Sequence, residues 1–184
     1  MNIAVYCSSR QNLQAQVYAI AQALGRWIGQ NGHTLVYGGV DAGLMHTVAQ
    51  ATHENGGHII GVVPAIFADR ADKLVDEIIE SRDLNDRKGK MVGMCDAFVV
   101  LPGGIGTIDE WISTLSQIVV NGDNDRRHIV VVNHEGMYDH TLRQIEETAA
   151  STYSLVPAVK TINAVATNQQ QMIDQLNKLQ NNEE

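Results

Sequence analysis

Short apolar runs alternate with longer stretches of helical periodicity along the chain. The run 3–6, Ile-Ala-Val-Tyr, is apolar throughout, which predicts a buried strand. Apolar residues at helical spacing follow over 13–30, and Gly32 comes two residues later, as glycine commonly does near the end of a helix. The same alternation continues to the C-terminus. The predicted strands span 3–6, 34–37, 59–63, 76–80, 97–101, 128–133 and 161–166, and the predicted helices span 13–30, 44–54, 84–95, 107–119, 138–150 and 168–180.

Several predicted strands are apolar at every position rather than at alternate positions. Strands of this kind are buried on both faces, which is typical of a parallel sheet covered by helices. We therefore expect an α/β protein with a Rossmann-like, doubly wound parallel sheet in three α/β/α layers. No linker, repeat or shift of composition divides the chain, so residues 1–184 are expected to form a single domain that ends in a polar helix near 168–180.

Composition narrows the function classes. The chain has 184 residues, with 13 Lys and Arg against 21 Asp and Glu and a formal charge of −8. General nucleic-acid binding needs a surplus of cations, and disorder needs less than the 44% of hydrophobic residues found here. No apolar run reaches about 18 residues, so no membrane span is expected. The N-terminus lacks a basic signal start, and Cys7 and Cys95 are too few for a disulfide scaffold, which together predict a cytoplasmic protein.

Ligands of an open parallel sheet bind at the carboxyl ends of its strands, and four of these ends carry unusual residues. The four segments are 7–10, 37–43, the residues after 64, and 101–110. Ser8 and Ser9 are candidate hydrogen-bond donors to a ligand. Gly38 and Gly39 form a second candidate turn against a ligand, because glycine lets the backbone approach closely.

The strongest signal is the segment 101–110, Leu-Pro-Gly-Gly-Ile-Gly-Thr-Ile-Asp-Glu. Gly103, Gly104 and Gly106 allow close approach of a ligand to the backbone. Thr107 stands where the helix is predicted to begin, and we expect it to cap that helix. Free N–H groups and the helix dipole would then form an anion site, unless the glycines serve only a tight turn. The segment is not a Walker A loop, because no Gly-Lys-Ser/Thr follows.

Charged residues accompany this segment. Asp109 and Glu110 either favour the helix dipole alone or place Glu110 against the sugar of a bound nucleotide. The segment 82–90 holds four of the 13 cations, among them Arg87 and Lys88. A solvated helix face is one interpretation of that segment. A site for an anion is the other, because cations early in a helix oppose its dipole.

The remaining polar residues give weaker signals. The seven histidines show no paired metal-ligand spacing. His46 and His53 could share a helix face, but a third ligand is not evident, so neither a metal nor a cofactor is predicted. Cys7 follows a strand and could be a nucleophile. Because no histidine stands in a recognisable Cys-His arrangement with it, a small buried residue is the better interpretation.

Two motifs carry a family resemblance. Pro-Gly-Gly-x-Gly-Thr-x-x-Glu is met in full at 102–110, and Arg-Lys-x-x-Met is met at 87–91. With these motifs the chain resembles, from residue 3 to about residue 145, the LOG ("Lonely guy") family of cytokinin riboside 5′-monophosphate phosphoribohydrolases, whose members are often mislabelled as lysine decarboxylases. It departs from the family at Val40 and His46, where glycine is usual, and over 117–127. These departures flank the base-binding side.

The resemblance implies hydrolysis of the N-glycosidic bond of a nucleoside 5′-monophosphate to a free base and ribose 5-phosphate. AMP or an N6-substituted, cytokinin-type adenosine monophosphate would be the substrate, and the protein would be a homodimer. Carried over by position, Arg87 and Glu110 would be the catalytic pair. The residues expected to bind the phosphate or the rest of the substrate are Gly103, Gly104, Ile105, Gly106, Thr107, Lys88, Ser8, Ser9, Gly38, Gly39 and Ser116.

The alternative function is a non-catalytic nucleotide- or cofactor-binding carrier of the same fold. Phosphate binding alone does not need Glu110, so the presence of both Arg87 and Glu110 favours an enzyme. A pyridoxal-phosphate decarboxylase is disfavoured, because the chain is short for that class and has no convincing Schiff-base lysine. The expected partners are the nucleoside 5′-monophosphate and a second copy of the chain, with neither nucleic acid nor membrane among them.

Overall fold

The computed structural model describes residues 1–123, 127–151 and 163–181. Within these residues seven strands form one parallel sheet in the order β4-β3-β2-β1-β5-β6-β7. The strands are β1 (Asn2–Tyr6), β2 (Thr34–Tyr37), β3 (His58–Pro64), β4 (Glu77–Ser81), β5 (Ala97–Val100), β6 (His128–Val132) and β7 (Asn163–Ala166). The α-helices are α1 (Ala15–Gln30), α2 (Gly43–Glu54), α3 (Leu84–Met94), α4 (Ile105–Asn121), α5 (Asp139–Ala150) and α6 (Gln169–Asn181). Short 3-10 helices span Ala65–Arg70 and His134–Gly136.

Helices cover both faces of the sheet. On one face, α1, α2 and α6 pack against buried strand residues that include Val5 and Leu35. On the other face, α3, α4 and α5 pack against Ala4 and Phe98. Neighbouring residues of β1 therefore enter different cores, as the strand period of two requires. The predicted three-layer, Rossmann-like parallel fold is confirmed. None of the helices in the described ranges is long and apolar enough to cross a membrane.

The helices α1 and α2 lie in close contact because small residues face each other. A Cβ on Gly25 would lie only 2.5 Å from the carbonyl oxygen of Val48 and 2.7 Å from the Cβ of Ala51. Glycine at this position lets the two backbones touch. On the other flank of α1, Trp27 Nε1 donates a hydrogen bond to Asn177 Oδ1 of α6 at 2.7 Å. The layer that carries the turn between β2 and α2 is thereby tightly packed.

The order of the strands creates a switch point beside β1. The chain runs from β1 outwards through β2, β3 and β4, and then returns to place β5 on the opposite side of β1. Two hydrogen bonds join the neighbouring strand ends: Leu101 N donates to Tyr6 O at 2.9 Å, and Ser8 N donates to Pro102 O at 3.2 Å. Open α/β sheets bind ligands in the crevice that such a switch point leaves. The segments after β1 and β5 meet there.

The predicted elements are present with small differences at their ends. The strand predicted at 76–80 is β4, and the polar helix predicted at 168–180 is α6. The first two residues of the strand predicted at 161–166 lie outside the described residues, as do residues 124–126 of the divergent segment 117–127. The helix α4 begins at Ile105 instead of residue 107. That difference changes the assignment of Thr107.

Candidate active site

The turn between β5 and α4 leaves backbone N–H groups available to a ligand. The residue before the helix is Gly104, which has no side chain with which to cap it. The first amides of a helix have no partner within the helix, and they carry the positive end of its dipole. Gly104 and Gly106 are both exposed. Since α4 is 17 residues long, its N-terminus is a suitable site for an anion.

The prediction that Thr107 caps α4 is wrong. Thr107 is the third residue of the helix, and it is buried. Its side chain packs over Gly103, where an added Cβ would lie 2.1 Å from Thr107 Oγ1 and 2.7 Å from Thr107 Cβ. The missing side chain of Gly103 therefore makes room for Thr107. The capping position is taken by Gly104, three residues before the predicted cap.

The same turn is braced from two sides. Tyr138 Oη donates a hydrogen bond to Leu101 O at 2.9 Å and lies 3.4 Å from Gly103 O. Burial raises the pKa of Tyr138 above its usual value, so the phenol stays a donor. The ring of Tyr138 meets Trp111 of α4 edge-on, with 5.4 Å between centroids. These contacts, together with the bond from Ser8 to Pro102, hold the turn between β1 and α5.

Arg87 of α3 and Glu110 of α4 form a buried ion pair that joins the two helices. Arg87 Nη2 donates to Glu110 Oε1, and the two residues are 8% and 6% exposed. No described residue accepts a hydrogen bond from the buried Nε of Arg87. Burial lowers the pKa of the Arg87 guanidinium, although arginine remains charged at neutral pH. A charged pair with an unused donor is thus held out of water at one wall of the cleft.

The four cations of 82–90 divide into two groups. Arg82 and Lys90 pair with Asp86 at 3.1 and 2.9 Å on the surface of α3, which is the solvated face that one interpretation predicted. Lys88 faces the other way, and its Nζ lies 2.8 and 2.9 Å from the carboxylate oxygens of Asp109. With Arg87 it faces the cleft. The solvated face is confirmed for Arg82 and Lys90, whereas an anion site at Arg87 and Lys88 stays a prediction.

The cleft has a volume of about 420 Å³ and lies at the switch point of the sheet. Among the residues predicted for substrate, the structure brings eight to its walls: Ser8, Ser9, Arg87, Lys88, Gly104, Gly106, Thr107 and Glu110. Ile105 is 83% exposed and lies outside the lining. Ser116 is also exposed and outside it, further along α4.

Three of the predicted glycines lie behind the cleft rather than in its walls. Gly103 accommodates Thr107, as described above. A Cβ on Gly38 would lie 3.3 Å from Nη1 of Arg87, so this glycine leaves room for the guanidinium. Gly39 has a φ of +69°, and a Cβ there would lie 2.5 Å from Val63 Cγ2 of β3. These glycines make room for neighbouring side chains, and none of the three lines the cleft.

Comparison with known proteins points to one family. A family model described as "Possible lysine decarboxylase" matches residues 45–176. The cytokinin riboside 5′-monophosphate phosphoribohydrolase LOG of Oryza sativa subsp. japonica is 34% identical over 148 residues, which cover 78% of this chain and 60% of the rice protein. The corresponding enzyme LOG7 of Arabidopsis thaliana is 30% identical over 178 residues, which cover 95% of this chain and 80% of the Arabidopsis protein. The chain belongs to the LOG family.

Solved structures share the fold of this LOG-family chain at lower identity. The molybdenum cofactor binding protein from Rippkaea orientalis superposes with a TM-score of 0.75 at 19% identity, over 97% of this chain and 96% of that protein. The molybdenum cofactor carrier protein from Chlamydomonas reinhardtii gives a TM-score of 0.74 at 21% identity, with the same coverage. At these identities the likeness concerns the fold, and function has to be argued from the site.

Sequence reasoning missed three residues in the walls of this LOG-family cleft. Arg10, Met45 and Leu84 all line it. The position of Arg10 just after β1 indicates contact with a ligand, since the residues at that strand end were expected to face one. Met45 and Leu84 stand in the first turns of α2 and α3, and no property of an isolated Met or Leu indicates contact with a ligand. Both add apolar surface to a cleft whose other walls are polar.

Cys7 also lines the LOG-family cleft, but it is only 2% exposed. Burial raises the pKa of its thiol to about 12, which leaves almost no thiolate at neutral pH. The structure therefore favours the buried small residue over the nucleophile.

Proposed function

We propose that this protein hydrolyses the N-glycosidic bond of a nucleoside 5′-monophosphate, releasing a free base and ribose 5-phosphate. The observation that carries the proposal is the buried ion pair of Arg87 with Glu110, placed beside the uncapped N-terminus of α4. The rice and Arabidopsis relatives are named as phosphoribohydrolases of this type, which supports the same reaction class.

The phosphate would bind at the N-terminus of α4. The amides of the first turn and the helix dipole favour an anion there, and the glycines leave room for its oxygens. Lys88 and Arg10 add positive charge to the same cleft. Lys88 is already paired with Asp109, so in this proposal it acts within a network and not as an isolated cation.

Glu110 would act at the sugar. It lies four residues beyond Gly106, or about 6 Å along the helix, which separates it from the proposed phosphate site by roughly one turn. In the reaction a water oxygen bonds to C1′, the C1′–N bond breaks, and the base leaves with one proton of the water. Glycoside cleavage passes through an oxocarbenium-like state, so a carboxylate beside C1′ stabilises the developing positive charge or orients the water. Arg87 would position Glu110 and keep its charge compensated.

The base would be adenine or an N6-substituted adenine. Met45 and Leu84 supply apolar surface in the cleft, and Leu84 is half exposed at its edge. Such surface accepts the face of a purine and tolerates an apolar substituent on it.

The reaction class can be tested with a panel of substrates. The purified chain is incubated with AMP, N6-substituted adenosine monophosphates, other nucleoside 5′-monophosphates and the matching nucleosides, and base release is followed by chromatography. We expect release from monophosphates and not from nucleosides. Equal release from nucleosides would contradict the phosphate site, whereas binding without any release would support the carrier alternative.

Site variants test the assignment of the catalytic pair. Glu110→Gln keeps the shape of the side chain and removes its charge, so kcat should fall by about 10² or more. Arg87→Lys keeps a positive charge but loses the planar fork, and kcat should also fall. Glu146→Gln and Arg143→Lys, on the exposed face of α5, make the same chemical changes away from the cleft. Near-normal turnover of both site variants would refute the assignment.

The proposed assembly is a homodimer. Ile112 and Val120 of α4 are 37% and 79% exposed, and Leu84, which lines the cleft, is 50% exposed. A second copy of the chain would cover such apolar side chains. Sedimentation velocity at micromolar concentration should give the mass of two chains, and Val120→Asp should shift the equilibrium towards one. A wild-type protein that sediments as a monomer would contradict this part of the proposal.

A further inference from the structure

A second cluster of charged side chains lies outside the cleft, on the α2 side of the glycine turn. His46 Nδ1 lies 3.0 Å from Asp41 Oδ1 and 2.9 Å from Asp72 Oδ2. One ligand atom of each residue lies within 4.8 Å of the others, and no other group of three such residues is found in the described part of the chain. The proposed hydrolysis does not use any of the three.

Asp72 is the fixed member of this cluster. Its side chain is only 2% exposed. Its Oδ1 accepts a hydrogen bond from Leu74 N at 3.1 Å, and its own N–H donates to Gly39 O at 2.7 Å. These bonds leave Oδ2 directed at the imidazole of His46. A buried carboxylate is costly unless a positive charge or several donors compensate it.

Few donors reach the buried carboxylate of Asp72. Nδ1 of His46 carries at most one proton, yet two carboxylates approach it. The hydroxyl of Tyr37, a fully buried residue, makes no hydrogen bond of good geometry to a described residue. The phenol is directed at the carboxylate of Asp72, which also faces His46. A buried hydroxyl without a well-formed hydrogen bond therefore adjoins the three converging ligand atoms.

We propose that Asp41, His46 and Asp72 bind a divalent transition-metal ion, with zinc as the representative. Imidazole nitrogen and carboxylate oxygen are ligands for zinc at about 2.0–2.2 Å, and a water would complete four-coordination. The present separations of about 3 Å need to open by only a few tenths of an ångström for a metal to take the place of the Nδ1 proton. Magnesium and calcium fit less well, because both prefer oxygen alone.

The position of the cluster indicates what the metal would do. Asp41 lies in the turn after β2, His46 in the first turn of α2, and Asp72 beyond the 3-10 helix Ala65–Arg70. Met45, next to His46, lines the cleft. A bound metal would therefore clamp three segments at the back of the cleft and stabilise its wall. Solvent access is provided by His46 and Asp41, whose side chains are 39% and 59% exposed.

Calorimetry on the full chain tests this site. After treatment with EDTA and removal of the chelator, the protein is titrated with ZnCl₂, and separately with MgCl₂ and CaCl₂. We expect one zinc per chain and no heat from magnesium or calcium. Zinc at 100 times its Kd should raise Tm by roughly 5–10 °C. Failure of the wild-type chain to bind zinc would overturn the proposal, whatever base the protein releases.

Variants locate the ion. Asp41→Asn and His46→Gln change exposed or half-exposed residues, and each should weaken zinc binding by at least about tenfold. The matched control is His58→Gln. His58 pairs with Asp76 at 3.3 Å, and the described residues give that pair no third ligand. The affinity of the His58→Gln variant for zinc should equal that of the wild type. Undiminished zinc binding in both Asp41→Asn and His46→Gln, with folding verified by circular dichroism, would also overturn the proposal.

Discussion

Gly103 is the position of the glycine turn at which a side chain should be tolerated least. A Cβ there would lie 2.1 Å from Thr107 Oγ1, 2.7 Å from its Cβ and 3.0 Å from its Cγ2. Thr107 is β-branched and buried in α4, so its side chain has few alternative rotamers. Since ordinary contacts between heavy atoms are about 3.5–4 Å, Gly103→Ala has to move the turn or the helix by more than about 1 Å.

The cost of this substitution can be worked out from the clash. Overpacking of a buried position lowers the free energy of unfolding by about 1–3 kcal/mol. For a chain of 184 residues each kcal/mol corresponds to roughly 2–4 °C, so Tm should fall by about 2–12 °C. The same shift would displace the amides proposed to hold the phosphate. A displacement of 1 Å in a binding group can lower a rate by about 10², and kcat/KM should fall accordingly.

Thermal unfolding monitored by circular dichroism provides the assay, with Gly106→Ala as the matched control. An added Cβ on Gly106 meets nothing within 4 Å, and alanine is the better helix former, so this variant should gain up to about 1 kcal/mol. Adding Thr107→Ala to Gly103→Ala removes the nearest atom and should recover part of the lost stability. If Gly103→Ala unfolds at the wild-type temperature or above Gly106→Ala, the packing argument is refuted.

Two further predictions concern groups that the structure buries. Because burial raises the pKa of Cys7 to about 12, its thiolate at pH 8 is roughly a thousandfold less abundant than that of an ordinary cysteine. Iodoacetamide should therefore label Cys7 only after unfolding, and Cys7→Ala should retain near wild-type turnover. Fast labelling of Cys7 in the folded chain would contradict its burial. Gly25→Ala places a Cβ 2.5 Å from a backbone oxygen of α2 and should lower the free energy of unfolding by about 1–3 kcal/mol, whereas Gly93→Ala, which meets nothing within 4 Å, should not lower it. Equal Tm values for these two glycine variants would argue against the close contact.

The fold was predictable because its signals are local and repeated. The apolar strands and the glycines after the helices depend on neighbours in sequence, and the structure reproduces them with ends that shift by one or two residues. The meeting of 7–10 with 101–110 was predictable for a related reason, since parallel strands place all their carboxyl ends at one edge of the sheet. The strand order alone therefore predicts which side chains lie at that edge, without knowledge of their contacts.

The details that escaped prediction depend on distant contacts or on one missing atom. The contact between Thr107 and Gly103 spans four residues, but it is decided by the absence of a Cβ and not by any preference of threonine. Asp72 meets His46 across 26 residues and an intervening strand, so the spacing of histidines alone could not identify a third ligand. In 82–90, composition could not tell which cations would be buried, because that depends on where Asp86 and Glu110 lie.

The ion pair of Arg87 with Glu110 is proposed to serve catalysis without adding to the stability of the fold. Desolvating two charges offsets much of their attraction, and the unused Nε of Arg87 adds the cost of an unsatisfied donor. Removing one partner, as in Arg87→Met alone, leaves a buried unpaired charge and should lower the free energy of unfolding by about 3–5 kcal/mol. Replacing both, as in Arg87→Met with Glu110→Leu, should restore wild-type stability or exceed it by about 1–4 kcal/mol, while base release stays absent. Chemical denaturation and the base-release assay measure the two effects separately. If the double variant is as unstable as the single one, the pair contributes to folding and the argument that its cost is retained for catalysis fails.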